Sequence, residues 1–223
     1  MVNHRKTLYI FFTHQGNLST CQPRIVKMMQ SLECSDYIIV VGKSPNTSKL
    51  SNVSNCYYED KTNILHIQCN DNYEGLPEKV IKTYRYIANS ETFNKYSFFV
   101  KLDDDMQLKQ LLPLQQIENK DYIGNVLKGQ GNRRWHINKC SKTSPWNDKI
   151  YTGPFVHWCG GGYGYGLSRH SMETINNKYS KITDQEIEEN EIYEDLCVAK
   201  ILNQERIYPS YLETKRYFVS PDH

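Results

Sequence analysis

Apolar and polar residues follow two different periods along this chain, and the two periods alternate. Short continuous apolar runs predict buried strands, whereas apolar residues three or four positions apart predict helices. The apolar runs lie at residues 8–12, 37–41, 65–68 and 96–102, and the helical patterns lie at residues 19–32, from Pro77, after Ser168 and at residues 194–202. This alternation predicts an α/β fold with helices flanking a sheet, in a single domain at residues 1–223.

Three consecutive aspartates, Asp103, Asp104 and Asp105, follow directly on the apolar run at residues 96–102. In open α/β sheets, ligands bind outside the carboxyl ends of the strands. Adjacent carboxylates repel one another, and a divalent cation with a preference for oxygen ligands, Mg²⁺ or Mn²⁺, relieves that repulsion. An acidic turn that faces solvent is the alternative interpretation. The position behind a buried strand favours the metal site.

Two further segments combine a flexible backbone with polar side chains. Residues 128–156 show little periodicity and predict long loops, which in compact domains usually surround a functional site. Residues 159–168 have the sequence Cys-Gly-Gly-Gly-Tyr-Gly-Tyr-Gly-Leu-Ser, whose glycines permit close backbone approach to a ligand. The segment fits neither G-x-G-x-x-G nor the P-loop pattern, which disfavours dinucleotide binding and P-loop chemistry. A flexible turn before the helix at Ser168 is the alternative.

A pair of acidic residues, Glu194 and Asp195, begins the last helical pattern. An acid in the first turn of a helix is stabilised by the helix dipole, so an ordinary helix start explains the pair equally well. The functional interpretation is a general base, which must be ionised near neutral pH and must reach an acceptor hydroxyl.

Four sequence blocks occur in the order found in the β-1,3-galactosyltransferase and Fringe superfamily, which the chain resembles. Residues 71–79 fit its D-x-Y-x-x-L-x-x-K block, and residues 99–105 fit its strand followed by D-D-D. Residues 159–168 are similar to its C-x-G-x-x-Y-x-x-S loop with an insertion or shift, and residues 193–195 fit its E-D-V element. The family's R-x-x-x-R-x-T-W signature is absent, and Arg24 corresponds to its remnant. The resemblance implies the GT-A fold, a Rossmann-like mixed sheet flanked by helices.

This resemblance also implies an inverting, metal-dependent glycosyltransferase that uses Mn²⁺ (or Mg²⁺). Asp105 would bind the metal, and Asp103 would bind the metal, its water or the ribose. Asp195 would be the general base. The donor would be a nucleotide sugar, UDP-linked by expectation, and the acceptor a glycan or glycoconjugate. The implied nucleotide-sugar residues are Thr13, His14, Gln15, Arg24, Lys79, Asp103, Asp104, Gly161 and Gly162.

Aromatic and basic side chains near the predicted loops are candidates for the acceptor wall, because a tryptophan ring packs well against a sugar. Trp135 and Trp158 are the first choices, and the core is an equally good place for Trp158. The further candidates are Arg133, Arg134, Trp146 and His157. Members of this superfamily commonly use a late histidine as a further metal ligand, which here would be His223, with Asp222 as its substitute. Residues 217–219 predict a short strand that docks this end on the sheet.

Composition narrows the class of protein further. Hydrophobic residues make up 39% of the 223 residues and charged residues 23%, with a net charge of +2. This balance supports a packed core and lacks the basic excess of a nucleic-acid binder. No apolar run is long enough to span a membrane, and no signal peptide opens the chain, so a cytoplasmic location is expected. The seven cysteines show no C-x-x-C spacing, which predicts reduced thiols rather than a zinc site or disulfide scaffold.

Two other classes remain open at this point. A sugar nucleotidyltransferase uses a related sheet, carboxylates and a divalent metal, but normally has a basic, glycine-rich loop after the first strand. The corresponding residues here, Thr13-His-Gln-Gly-Asn17, are not basic. A non-catalytic sugar-binding module explains the tryptophans but has no use for both Asp105 and Asp195.

Overall fold

Strands and helices alternate through most of the protein. The computed structural model describes residues 6–43 and 56–219. The strands are β1 Lys6–Thr13, β2 Tyr37–Lys43, β3 Cys56–Glu59, β4 Ile64–Gln68, β5 Tyr96–Asp103, β6 Gln107–Leu108, β7 Tyr122–Gly124, β8 Val126–Leu127, β9 Trp158–Cys159, β10 Tyr165–Ser168, β11 Ser210–Tyr211 and β12 Phe218–Val219. The helices are α1 Leu18–Ser31, α2 Leu76–Asn89, α3 Leu114–Ile117, α4 Arg169–Tyr179, α5 Asp184–Asn190 and α6 Glu194–Gln204.

Eight of these strands form one mixed sheet in the order β11-β7-β10-β5-β1-β2-β4-β3. Its centre is parallel: β1 pairs with β2 and with β5, and β2 pairs with β4. On one side β10 runs antiparallel to both β5 and β7. Consequently the loops after β1 and β5 and the loop before β10 all open on the same edge of the sheet.

The sheet is buried on both faces, which explains why its central strands are continuous apolar runs. In β1, Leu8, Ile10 and Phe12 enter one core cluster, while Tyr9 and Phe11 enter the other. Helix α1 covers the second face with Cys21, Ile25 and Met29, all almost completely buried. Helices α2, α4 and α6 pack on the first face and against one another. The result is three layers with the sheet in the middle.

The predicted α/β architecture is confirmed, and so are most of its long elements. The helix predicted at residues 19–32 is α1, the helix from Pro77 is α2, and the Ser168 side chain caps α4 by accepting a hydrogen bond from the backbone N–H of Ser171. The segment at residues 128–156 consists of loops and turns, with one short 3-10 helix at Pro145–Asn147 and no strand or α-helix. All seven cysteines are free in the structure, and their reduced state in the cell stays a prediction.

Two predictions about irregular segments need correction. The glycine-rich segment at residues 159–168 is not a loop throughout, because its second half is strand β10, whose Gly166 packs its backbone against Phe98. Gly164, which precedes the strand, has a φ of 72°, a conformation that favours glycine. At the end of the chain, β12 pairs with β6 rather than with the main sheet. Asp222 and His223 lie outside the described residues.

Candidate active site

The carboxyl ends of the two central strands lie side by side and open into a cavity. Parallel pairing sets Phe12 of β1 opposite Asp103 of β5. The three aspartates therefore lie next to the segment that begins at Thr13. The pairing register that brings the two segments together cannot be read from the sequence alone. A cavity of about 510 Å³, here named the first cavity, opens at this point. Its polar lining includes Thr13, His14, Asp71, Lys79, Asp103, Asp104, Asp105 and Lys139.

The three aspartates have different surroundings. Asp104 accepts hydrogen bonds from the Thr13 hydroxyl at 2.5 Å and from the Asn17 amide at 2.6 Å, so it fastens the turn after β1. Asp103 forms an ion pair with Lys101 at 2.6 Å. Asp105, like Asp103, is partly exposed on the cavity wall. All three aspartates are partly exposed and line the same cavity, and Asp104 in addition joins two loops.

The two basic residues predicted to bind the donor have protein partners. Lys79 is almost completely buried, pairs with Asp71 at 2.5 Å and donates to the Thr13 carbonyl oxygen at 3.0 Å. Arg24 donates from its guanidinium to the backbone carbonyl oxygens of Asp104 and Asp105. Arg24 thus holds the aspartate turn from behind, and its predicted contact with the donor stays a prediction.

Asp71 is a structural centre of the same edge. Its two carboxylate oxygens accept hydrogen bonds from the backbone N–H groups of Gly42, at 2.8 Å, and Gln15, at 2.5 Å. Together with the Lys79 ion pair, these bonds join β2, the turn after β1 and helix α2. The backbone of Gln15, rather than its side chain, makes this contact.

Helix α6 presents Asp195 at its first turn, beside the glycine-rich segment. The Asp195 carboxylate accepts hydrogen bonds from the backbone N–H groups of Gly161 and Leu196, each at 2.8 Å. Burial raises the pKa of Asp195 above its usual value, and the bond from Gly161 acts against that rise. Asp195 is thus oriented from two sides and its proton affinity is increased, which suits a general base.

A buried ion pair connects the aspartates with helix α6. Lys101 lies inside β5, is 1% exposed, and binds Glu194 at 2.7 Å as well as Asp103. The other oxygen of Glu194 accepts a bond from the Tyr165 hydroxyl at 3.0 Å, and Tyr165 in turn bonds Tyr84 at 2.8 Å. Burial raises the pKa of Glu194 to about 7, although Lys101 lowers it. The carboxylates of Asp103 and Glu194 raise the pKa of Lys101, so that this lysine stays charged.

This ion pair was not among the contacts predicted from the sequence. A lysine within an apolar strand is its sequence signal, since buried lysines are almost always paired. The sequence does not name the partner, because the contact joins a strand to a helix far along the chain. Gly161 packs closely against this ion pair. Its carbonyl oxygen accepts a hydrogen bond from the Lys101 ammonium group at 3.3 Å, and a Cβ atom added at Gly161 would lie 2.1 Å from the Glu194 carboxylate. A side chain at Gly161 would therefore displace the ion pair.

A second cavity, of about 320 Å³, is lined in part by Asp195. Gly161 and Gly162 line it, together with five aromatic residues. Those residues are Trp135, Phe155, Trp158, Tyr163 and Tyr193. Trp135 is 54% exposed, whereas Trp158 is 8% exposed. The second cavity thus brings the predicted base, the predicted glycines and both first-choice tryptophans together.

The other acceptor candidates are not among the residues that line this cavity. Trp146 is 3% exposed, and its indole N–H donates to the Glu188 carbonyl oxygen at 3.0 Å, so it belongs to the core. Arg133 donates to the carbonyl oxygens of Tyr151 and Gly153 and thereby shapes the loop. Arg134 and His157 are exposed.

The residues of the first cavity fit a divalent cation chemically. Asp103 and Asp105 supply the carboxylate oxygens that Mn²⁺ and Mg²⁺ prefer, and a cation that also binds diphosphate needs only one or two such ligands. Within residues 6–43 and 56–219, no three His, Cys, Asp or Glu side chains form a ready cation cage. Phosphate oxygens or water would have to complete the coordination.

Comparison with known protein families gives a match over most of the chain. Residues 32–206 match the family model described as galactosyltransferase, which covers well over half of the chain. This range includes β5 with its aspartates, the glycine-rich segment and the start of α6. A comparison with curated proteins found no match. None of the helices in the described parts of the chain has both the length and the apolar character of a bilayer span.

Proposed function

Because the chain belongs to the galactosyltransferase family, we propose that it is an inverting, divalent-cation-dependent glycosyltransferase with a UDP-linked sugar as its donor. Membership of the family makes it a glycosyltransferase, with a nucleotide sugar as donor and a glycan as acceptor. The nucleotidyltransferase and the non-catalytic sugar-binding module are therefore set aside. The remaining questions are which residues act and how.

One observation carries the proposal: the carboxylates of the two cavities are joined through a short chain of contacts. Asp103 binds Lys101 at 2.6 Å, Lys101 binds the Gly161 carbonyl oxygen at 3.3 Å, and the Gly161 N–H binds Asp195 at 2.8 Å. A donor in the first cavity and an acceptor in the second would have their reacting atoms near this chain of contacts. Such mutual orientation is a large part of the rate gain in a two-substrate reaction.

In the first cavity, Asp105 and Asp103 would hold the divalent cation, whose positive charge would favour binding of the donor's diphosphate beside it. When bound, the cation supplies positive charge against the negative charge that grows on the leaving diphosphate. Thr13 and His14, at the end of β1, would lie against the nucleoside. Asp104 and Arg24 contribute by holding the aspartate turn in place, through the hydrogen bonds described above.

In the second cavity, an acceptor hydroxyl would lie against Asp195. Its oxygen attacks the anomeric carbon while the bond from that carbon to the diphosphate oxygen breaks, and the bonding electrons leave with the nucleoside diphosphate. Asp195 takes the hydroxyl proton. A single displacement of this kind inverts the anomeric configuration. The raised pKa of Asp195 increases its affinity for that proton, and the bonds from Gly161 and Leu196 fix the direction of its carboxylate.

The test is the variant Asp195→Asn, measured beside Asp148→Asn as a matched control at an exposed position of the loop. Loss of a general base should reduce turnover about 10²-fold or more. UDP affinity should remain nearly unchanged, because Asp195 lies outside the first cavity. The control should behave as the parent. If Asp195→Asn lost UDP binding together with turnover, Asp195 would be a structural residue rather than the base.

A further inference from the structure

Lys139 occupies the boundary between the two cavities. It belongs to the irregular segment at residues 128–156 and lines the first cavity. Its ammonium group lies 3.7 Å from the ring centre of Trp135, the most exposed aromatic residue of the second cavity. It also lies 5.8 Å from the ring centre of Tyr73, which lines the first cavity. One flexible side chain thus contacts the walls of both cavities.

Lys139 differs from the other cations near the first cavity in its partners. Lys79 is paired with Asp71, and Lys101 is paired with Asp103 and Glu194. Arg24 is bonded to backbone carbonyls. No carboxylate within the described parts of the chain forms an ion pair with Lys139, whose ammonium contacts are the two aromatic rings. Partial burial of that ammonium group lowers its pKa.

The geometry points to Lys139 as the protein cation that binds the diphosphate of the donor, a role that rests on the function proposed above. The side chain would turn from the ring of Trp135 to the phosphate oxygens. Charge-assisted hydrogen bonds to phosphate are stronger than a contact with an aromatic face. The cavity's four carboxylates, Asp71 and residues 103–105, also disfavour a diphosphate unless cations offset their charge. Lys139 is the lysine on this wall whose charge has no carboxylate partner among the described residues.

This movement would change the surroundings of one residue that lines the second cavity. While Lys139 lies over Trp135, its ammonium group covers one face of the indole ring. Binding of the diphosphate would draw Lys139 away and expose that face.

The experiment measures binding to the full chain in the presence of Mn²⁺, with UDP, uridine and inorganic pyrophosphate as separate probes. Lys139→Ala should weaken UDP and pyrophosphate binding about 10-fold or more, as expected for loss of a charged hydrogen bond, and leave uridine binding unchanged. Lys139→Arg should restore most of the affinity. Lys142→Ala, an exposed lysine of the same loop, is the matched control and should bind all three probes as the parent does.

Each other outcome has a distinct meaning. If Lys139→Ala bound UDP and pyrophosphate as tightly as the parent, this assignment would be wrong while the proposed function stood. If the parent bound pyrophosphate but not UDP, and Lys139→Ala lost pyrophosphate, the assignment would stand and the UDP donor would be wrong. If the parent bound none of the probes, both would be wrong.

The emission of Trp135 gives a second measurement. UDP should change the tryptophan fluorescence of the parent, because the ammonium group leaves the indole ring. This change should disappear in Lys139→Ala and in Trp135→Phe. A UDP-dependent change that persisted in Lys139→Ala would contradict the movement. A metal-free melting temperature equal to that of the parent would establish that Lys139→Ala is folded.

Discussion

The two cavities differ in the structural elements and in the residue types that line them. The first cavity lies at the ends of β1 and β5, and most of its charged side chains are held in ion pairs and hydrogen bonds such as Asp71 with Lys79 and Asp104 with Thr13. The second cavity is formed mainly by irregular segments and aromatic rings, with Trp135 54% exposed. Because the paired strands hold the loops that follow them, the charged groups in those loops have little freedom to move. Such a rigid arrangement suits a single type of reaction. Loops with aromatic side chains alter their shape more readily and suit the choice of an acceptor.

The largest effect should come from the first cavity, at Asp105. Asp105→Ala should reduce turnover by about 10³-fold or more, since a bound cation contributes several kcal/mol to the stabilisation of developing charge. The same variant should lose the Mn²⁺-dependent rise in melting temperature that UDP produces, because ligands that bind the folded state raise its stability.

The matched control for Asp105→Ala is Asp104→Asn, a substitution in the same run of three aspartates. An amide oxygen still accepts the hydrogen bonds from Thr13 and Asn17, so this variant removes a charge while retaining the turn. It should keep its Mn²⁺ dependence. Equal losses in Asp105→Ala and Asp104→Asn would mean that the motif acts through its total charge and that Asp105 has no special role.

An intermediate effect is expected in the pH dependence of kcat/KM. Asp195 accepts a proton only when it is ionised, so activity should fall as the pH decreases through its pKa. Because burial raises that pKa, the acid limb should lie above the value of an ordinary aspartate, about 4. The charged neighbours that face it are Lys101, Asp103 and Glu194, of which Lys101 lowers the pKa and Asp103 raises it.

Glu194 has to be distinguished from Asp195 in this profile, since its own pKa is about 7. Glu194→Gln should keep the acid limb if Asp195 produces it. A limb that vanished in Glu194→Gln would assign the titration to Glu194, and activity that was flat down to about pH 4 would contradict a raised pKa at Asp195.

The smallest effect should come from the second cavity, at Trp135. Trp135→Ala should raise the KM for the acceptor a few-fold, roughly the worth of one aromatic face at an exposed site, with the melting temperature nearly unchanged. Trp146→Ala is the contrast, because Trp146 is 3% exposed and its loss should cost about 3–5 kcal/mol of stability. If Trp135→Ala left the acceptor KM unchanged, the acceptor would bind elsewhere.

The same contrast explains how much of the fold could be predicted from the sequence. Strands β2 and β5 were predicted because burial on both faces gives continuous apolar runs. Strand β10 was missed because five of the ten residues at 159–168 are glycine, which conceals any period. Helix α5 is short and polar, yet its capping box from Thr183 to Glu186 is a local signal that the sequence contains.

In the candidate site, residues in local motifs could be predicted and residues joined only by the fold could not. Asp105 and Asp195 are marked by their positions after a strand and at a helix start. The pairing of Lys101 with Glu194 depends on how α6 packs against β5, and the contact of Lys139 with Trp135 depends on the path of an irregular segment. Neither contact produces a periodic pattern in the sequence from which it could be predicted. The proposed ligand His223 stays a prediction, because it lies outside the described residues.

The most direct test of the account is the release of UDP from a panel of UDP-sugars by the parent protein, with Mn²⁺ and with EDTA in its place. The account predicts release from at least one UDP-sugar in Mn²⁺, faster with a glycan acceptor than with water alone, and none in EDTA. Equal release in EDTA would contradict the role of the cation at Asp105. Absence of release from every UDP-sugar in Mn²⁺ would contradict the UDP-linked donor.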